Sequence, residues 1–273
     1  NLKLGSENFL GGGAWEALLY PLTSNEITDF DLIKYLNRGG LPSIYTSEHP
    51  ADELKHYVNL YLREEVLAEA LTRNIEYFVK FLDIMAITNG DELFYQGLSN
   101  ESGVPARTIQ NYVEILEDTL IGFQLKPFLK TKKRKAIARS KFYLFDLGVV
   151  NYLARRGEIR PRSELFGKAF EHFIIREVKS AVSYLSLDEE LYYWRSTSQS
   201  EVDLIVGNKL AIEIKSTDMV TERHLKGLLA LKEEGLIKNH CVVSNDPAER
   251  TVQGIKVYPW QTFLEKLWNS RLF

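Results

Sequence analysis

The stretch 200–216, SEVDLIVGNKLAIEIKS, decides how this chain folds and what it does. Two apolar runs, VDLIV and LAIEIK, flank Gly207-Asn208, so the segment predicts a β-hairpin. Side chains alternate faces along a strand. Glu213 and Lys215 therefore share one face, and Ile212 and Ile214 share the other. The isoleucines belong to a core, which leaves the charged pair in a cleft. Loop length then decides where Asp203 points. A two-residue loop pairs Val206 with Lys209 and sends Asp203 to the wrong face. A three-residue loop, Gly207-Asn208-Lys209, pairs Val206 with Leu210 and sets Asp203 against Glu213, with Asn208 tolerating the left-handed conformation. Joint action of Asp203 and Glu213 requires the odd loop.

A fourth group precedes the hairpin. In SELFGKAFEHFIIREVKSAVSYL, residues Ala169, Phe170, Phe173, Ile174 and Val178 recur at helical spacing and predict a buried stripe. Glu171 flanks that stripe and points along the sheet edge. Glu171, Asp203 and Glu213 are the candidate metal ligands, and with Lys215 they are the candidate catalytic set. Two or three carboxylates with water suit Mg²⁺ or Mn²⁺, which are hard cations. Such an ion polarises a phosphate and lowers the pKa of bound water. Lys215 orients that water or offsets charge developing on phosphorus. Glu-x-Lys alone is common. A helix Glu, then a strand Asp, then Glu-x-Lys on the next strand is far more restrictive, and it points to phosphodiester hydrolysis.

Around this set, residues 131–273 form one α/β domain in the sequence reading. Strands are expected at FYLFD, LYYWR, VDLIV, LAIEIK, HCVVS and IKVYPW. Helices are expected at DLGVVNYLARR, the Glu171 segment, ERHLKGLLALKEEG and WQTFLEKLW. Their alternation favours a mixed sheet flanked by helices. Tyr193 and Trp194 are expected in the core. His172 is expected to pack or lie at the surface, and His224 with Lys226 on a solvated face.

Residues 76–130 carry the spacing of a winged helix-turn-helix. YFVKFLDIMAIT gives a first helix and LSNESG a second ending at Gly103. VPARTIQNYVEILEDTL gives a third, with Pro105 in its first turn and Ile109, Val113 and Leu116 as its buried stripe. IGFQLKPFL is expected as the wing hairpin. Arg107 and Gln110, with Asn111, are the candidate DNA-groove residues, although Glu114, Glu117 and Asp118 on the same helix repel phosphate. Residues 126–141 hold eight basic residues and no acid. Within them Lys132, Lys133, Arg134 and Lys135 are candidate phosphate contacts. Arg195, in a loop with Ser198 and Gln199, is another.

Residues 49–75 predict a connecting helix with Leu54, Val58, Tyr61, Leu62 and Val66 on one side and Arg63-Glu64-Glu65 as an ion-pair patch. Residues 1–48 do not read as a complete domain. LKLGS reads as a strand end, and Asp29 or Asp31 starts a short helix closed by Gly39-Gly40. Gly11-Gly12-Gly13 lacks the G-x-x-x-x-G-K-[ST] pattern, so it reads as a turn.

The chain has 273 residues, 45% of them hydrophobic, with a net charge of −3. That allows a sizeable core and excludes a global basic field, so any nucleic-acid affinity is local. One cysteine, Cys241 in HCVVS, excludes a disulfide framework and reads as a buried hydrophobe. No apolar run approaches the ~18 residues of a membrane span. With no signal peptide and a first residue other than Met, the expectation is a cytoplasmic fragment of a longer protein. A homo-oligomer is compatible with this composition.

The set Glu171, Asp203, Glu213, Lys215 resembles the PD-(D/E)XK nuclease superfamily, whose restriction-endonuclease-like fold is shared with archaeal Holliday-junction resolvases. Val202 stands where the superfamily's name has proline. Across nearly the whole chain, PLTSNEI, GGLP, YLREEV, FYLFDLGVVNYL, LFGKAFEHFIIREV, YYWRSTSQSEVDLIV and AIEIKS are similar, in order, to the C-terminal two-thirds of prokaryotic AAA-type ATPases ending in the domain of unknown function 4143. The resemblance implies that residues 1–48 are the remnant of an ATPase domain, LKLGS being its sensor strand. It also implies a winged helix followed by a metal-dependent nuclease domain, with DNA as partner. Walker A and Walker B are absent, so no nucleotide-binding residue is carried over and the chain alone is not expected to hydrolyse ATP. Two other classes compete. One is a non-catalytic module in which the nuclease fold only binds nucleic acid or protein. The other is a transcription regulator, which the acidic third helix weakens.

Overall fold

The computed structural model describes residues 18–62 and 74–272. The LKLGS strand end, the Gly11-Gly12-Gly13 turn, Val66 and the Arg63-Glu64-Glu65 patch lie outside them, as do the side chains of Tyr61 and Leu62. Among the described residues, eight strands form one mixed sheet. They are β1 (Gly122–Pro127), β2 (Lys141–Leu144), β3 (Leu191–Arg195), β4 (Glu201–Val206), β5 (Leu210–Lys215), β6 (Asn239–Ser244), β7 (Arg250–Val252) and β8 (Ile255–Pro259). Their order is β2-β1-β3-β4-β5-β6-β8-β7. Strands β3, β4 and β5 make an antiparallel meander, and β6 and β8 continue parallel to β5. The short strand β7, which pattern reading missed, pairs antiparallel with β8.

The helices follow from amphipathic stripes and caps. In α8 (Glu164–Tyr184), Ser163 caps the first turn by accepting from the Phe166 N–H. The predicted stripe is the one that is buried: Ala169, Phe170, Phe173, Ile174 and Val178 are fully inaccessible. Each such Phe or Ile contributes roughly 1.5–3 kcal/mol by leaving water. This stripe packs on Ile212, Ile214 and Val243 of the sheet and on Phe263 of α10 (Trp260–Trp268). The opposite face is covered by α9 (Lys226–Lys232), whose Leu228 and Leu231 meet Ala211, Val242 and Val257. Tyr193, Trp194 and Cys241 are buried, as expected from the sequence.

A third core joins α4 (Ile75–Ile87), α5 (Tyr95–Ser102) and α6 (Ala106–Asp118). Ile109, Val113 and Leu116 line it, and Gly103, with φ 71°, makes the break between α5 and α6. Pro105 stands at the N-cap of α6, one position before the first turn. The expected wing is different. IGFQLKPFL is a single strand, β1, and its hairpin partner is β2, beyond residues 128–140. The other edge of β1 pairs parallel with β3, so this hairpin is part of the central sheet. Phe142, Leu144 and Val149 pack in the helical core, and the expected boundary at 130/131 is therefore not a packing boundary. The physical reason is that β2 buries both its faces, Phe142 and Leu144 against the α4–α6 core and Tyr143 against α8.

The segment expected as a domain remnant is likewise part of the main core. Asp31 caps α1 (Leu32–Arg38) by accepting from the Lys34 N–H, and Gly39 closes the helix. Tyr35 of α1 lies 5.3 Å, ring to ring, from Phe173 of α8. Arg176 donates to the carbonyls of Pro21 (2.9 Å) and Leu22 (2.6 Å). Glu177 accepts from the Ser24 N–H and hydroxyl, both at 2.8 Å. Asp146 accepts from the Gly40 N–H at 2.7 Å and caps α7 (Leu147–Leu153). Burial pushes the carboxyls of Asp146 and Glu177 above their ordinary values. Further on, the short α2 (Pro42–Thr46) is followed by α3 (Pro50–His56), which runs into a π-helical turn over Tyr57–Leu62, with Leu54 and Val58 buried as the spacing predicts.

Candidate active site

The hairpin that carries the site has the odd loop. Val206 pairs with Leu210, Ile205 with Ala211 and Leu204 with Ile212. The left-handed residue is Gly207, with φ 52°, and not Asn208. That φ is what favours glycine here, since a Cβ at Gly207 would meet only the end of the Glu189 side chain, which can swing away.

The ladder continues on β3 with a break that positions Asp203. Tyr192 pairs with Ile205 but Trp194 pairs with Val202, so Asp203 and Leu204 together oppose Tyr193. This is a β-bulge, a device that re-aims side chains. It turns the Asp203 carboxylate onto β5, where Oδ2 accepts from the Ile214 N–H at 2.7 Å. Lys215 then bridges the two acids. Its Nζ lies 2.6 Å from Glu213 Oε1 and 3.4 Å from Asp203 Oδ2. Asp203 and Glu213 are each only 6% exposed. Glu213 Oε2 is buried with no hydrogen-bond partner. Such an orphaned acceptor is costly unless something donates to it or coordinates it.

The electrostatics follow from this crowding. Burial, and then repulsion from Asp203, hold the Glu213 carboxyl well above its ordinary value. Burial works against the charge on Lys215, but attraction to Asp203 and Glu213 prevails and holds its ammonium above the usual lysine value.

The structure does not bring Glu171 to this pair as a third ligand. Its Oε1 accepts from the Tyr143 hydroxyl at 2.8 Å and lies 3.4 Å from Lys141 Nζ. Among the described residues, no three His, Cys, Asp or Glu side chains converge as they stand to hold a metal ion. The reason is a second lysine. Lys141, from β2, sits between Glu171 and Glu201, whose Oε1 is 2.7 Å away. Burial opposes its charge, but Glu171, Tyr143, Glu201 and Asp203 together raise its pKa well above the ordinary value. Burial raises the Glu171 carboxyl, and Lys141 offsets part of that rise. Lys141, Tyr143, Glu171, Glu201 and Arg195 line a cleft of about 380 Å³, closed on one side by residues 89–92.

Sequence reasoning missed Lys141, Tyr143, Glu201 and Glu92. Glu201 carried a signal, being two residues before Asp203 on the same strand. Lys141 was the last member of a basic run and nothing local marked it as buried. Its neighbours are 30 and 60 residues away in the chain.

The candidate DNA contacts are scattered. Arg195 pairs with Glu92 at 3.0 Å and donates to Gln199 at 3.1 Å, at the mouth of the cleft. The 132–135 loop is docked on the protein. The N–H groups of Lys132, Lys133 and Arg134 all donate to the Glu234 carboxylate, and Arg134 pairs with Glu233 at 2.6 Å. Lys132, Lys133 and Lys135 remain exposed. Arg107 and Gln110 are exposed on α6, an element that supplies no residue to the cleft; Glu117 of that helix is engaged by Gln124. His172 is fully buried against Asn89, and burial lowers its pKa to about 3, so it packs and is no base.

This geometry sits within regions that known families cover. Residues 166–263 match the family described as Domain of unknown function (DUF4143), so a domain of that family is present. Residues 29–160 match a second, described as Domain of unknown function (DUF8612). The seam between the two matches falls at the start of α8, after β2 has delivered Lys141. Among curated proteins the chain is similar to Uncharacterized protein Rv2008c of Mycobacterium tuberculosis and Uncharacterized protein Mb2031c of Mycobacterium bovis. Each is 23% identical over 188 residues, 66% of this chain and 42% of the relative. The match thus spans less than half the length of those relatives. No solved structure matches the chain.

Proposed function

We propose that Asp203, Glu213 and Lys215 form a divalent-metal-dependent phosphodiester hydrolysis site acting on DNA. The observation that carries this reading is the Lys215 ammonium bridging two buried carboxylates on adjacent strands, beside an orphaned Glu213 Oε2. Asp203 and Glu213 are the residues that would hold Mg²⁺ or Mn²⁺, with Oε2 free to coordinate. When bound, the ion supplies Lewis-acid activation of phosphate and water. Lys215 Nζ stays within reach of the same carboxylates, where it orients the attacking water and offsets charge on the phosphate. Glu171 acts from beside the site, through Tyr143 and Lys141.

The order α8, β3-β4-β5 meander, α9, then β6 parallel to β5 supports a restriction-endonuclease-like core. The α4–α6 trio with Gly103 between its last two helices supports a helix-turn-helix whose wing has been absorbed into the sheet. We read the whole protein as an AAA-type ATPase of the cytoplasm in which this part handles DNA. Its exposed contacts would be Lys132, Lys133, Lys135 and Arg195, with Arg107 and Gln110 as a separate patch.

The test is cleavage of linear, single-stranded and branched DNA with Mg²⁺ or Mn²⁺. Cutting that needs the metal and is lost in Asp203→Asn supports the reading. DNA binding without cutting on every substrate, with and without the ATPase region, would overturn it. One observation favours that second outcome, a binding module without chemistry: lysines already neutralise the acids of both clusters.

A further inference from the structure

We propose that Lys141 is a positioning residue that occupies the place of a second cation, so that the site takes one divalent ion, at Asp203 and Glu213. This rests on the reading of that pair as a metal site. Two carboxylate couples lie close enough to feel each other's charge, Glu171 with Glu201 lining the cleft and Asp203 with Glu213 beside it, and each couple holds one ammonium. The two lysines differ in freedom. The Lys141 side chain is 8% exposed and the Lys215 side chain 32%.

Lys141 is fixed from several sides. Its backbone pairs with Leu125 in the sheet and bridges to Glu92, and its Nζ lies 5.2 Å from the centre of the Tyr193 ring. It lies 2.7 Å from Glu201, and the Tyr143 hydroxyl fixes the Glu171 oxygen that faces it. Withdrawal of that cation would leave the half-buried Glu171 and Glu201 facing each other, with Arg195 at 3.7 Å as the remaining cation beside Glu201. Lys215 lies at the end of β5 with a third of its side chain in water, so it can yield its place to an ion and remain nearby. Two-metal hydrolytic sites hold their ions about 3.5–4 Å apart between shared carboxylates. Here a lysine delivered by β2 neutralises the second couple, and it does so from a region outside the DUF4143 match.

The experiment is Mn²⁺ binding to the purified protein by calorimetry, with free Mn²⁺ counted independently by electron paramagnetic resonance. The wild type is expected to bind one ion, and Asp203→Asn none. Lys141→Met opens the second couple and is expected to bind two, while Lys141→Arg restores one. Glu201→Gln keeps the shape of the side chain, removes an acid outside the proposed ion ligands, and is expected to leave one ion bound. If Lys141→Met folds and binds one ion, or if Glu201→Gln binds none, Lys141 does not play this part. If the wild type binds no Mn²⁺, or Asp203→Asn binds as the wild type does, the metal reading itself fails, and the inference with it.

Discussion

Replacing Lys215 by Met isolates what holds two buried acids together. Lys215 Nζ is 2.6 Å from Glu213 and 3.4 Å from Asp203, and both acids are almost inaccessible. Removing one partner of a buried pair costs about 3–5 kcal/mol. The cost here is smaller for two reasons. The lysine is about a third exposed, so water already screens part of the attraction. Glu213 can also take up a proton in its place. Its carboxyl is already raised well above 4.5 by burial and by Asp203. A raised carboxyl favours the folded state at low pH, and that contribution is lost as pH rises through the folded pKa. Loss of Lys215 raises the value further. The penalty of the variant is therefore largest at neutral and alkaline pH, about 2–3 kcal/mol near pH 8, and shrinks to under about 1 kcal/mol near pH 5. At roughly 2–3 °C per kcal/mol for a chain of this size, Tm falls by about 4–9 °C at pH 8. Urea and thermal denaturation of wild type and Lys215→Met at the two pH values read this directly. An equal loss at both, or a larger loss at pH 5, would refute the reasoning.

Two more predictions concern packing and protonation. Gly227→Ala would place a Cβ 1.7 Å from the carbonyl oxygen of Glu201, so α9 must move off β4. An exposed helical Gly→Ala gains about 1 kcal/mol; this one is expected to lose about 1–3 kcal/mol in urea denaturation and to weaken the Lys141–Glu201 contact. His172, with its pKa lowered to about 3 by burial, stays neutral, so its ring nitrogen signals in NMR should not titrate between about pH 5 and 8. Because the unfolded chain takes up that proton more readily, its contribution to stability is present above the ordinary histidine value and is lost as pH falls.

The parts that could be read from the sequence are those governed by local periodicity. Alternation in VDLIV and LAIEIK fixed both strands, and the need to bring Asp203 to Glu213 fixed the loop at three residues. The α8 stripe was visible because Phe170, Phe173, Ile174 and Val178 obey helical spacing. What could not be read depends on distant partners. The bulge that turns Asp203 onto Ile214 needs the register of β3. Lys141 looked like the tail of a solvated basic run, and only the pairing of β1 with β3 carries it under Glu201. Arg176, Glu177 and Asp146 are charged residues that a pattern search assigns to the surface. They are buried because residues 21–40 bring backbone and hydroxyl groups to them, and so the segment expected as a remnant became part of the core.

The central claim is that Asp203 and Lys215 act as one unit in metal-dependent phosphodiester cleavage. The measurement that tests it most directly is single-turnover DNA cleavage with Mn²⁺ by wild type, Asp203→Asn, Lys215→Met and the double variant. Residues that act as a unit are strongly non-additive. The account predicts cutting by the wild type, a loss in each single variant, and a double variant no slower than either. Full cutting by either single variant, or losses that simply add in the double, would contradict it.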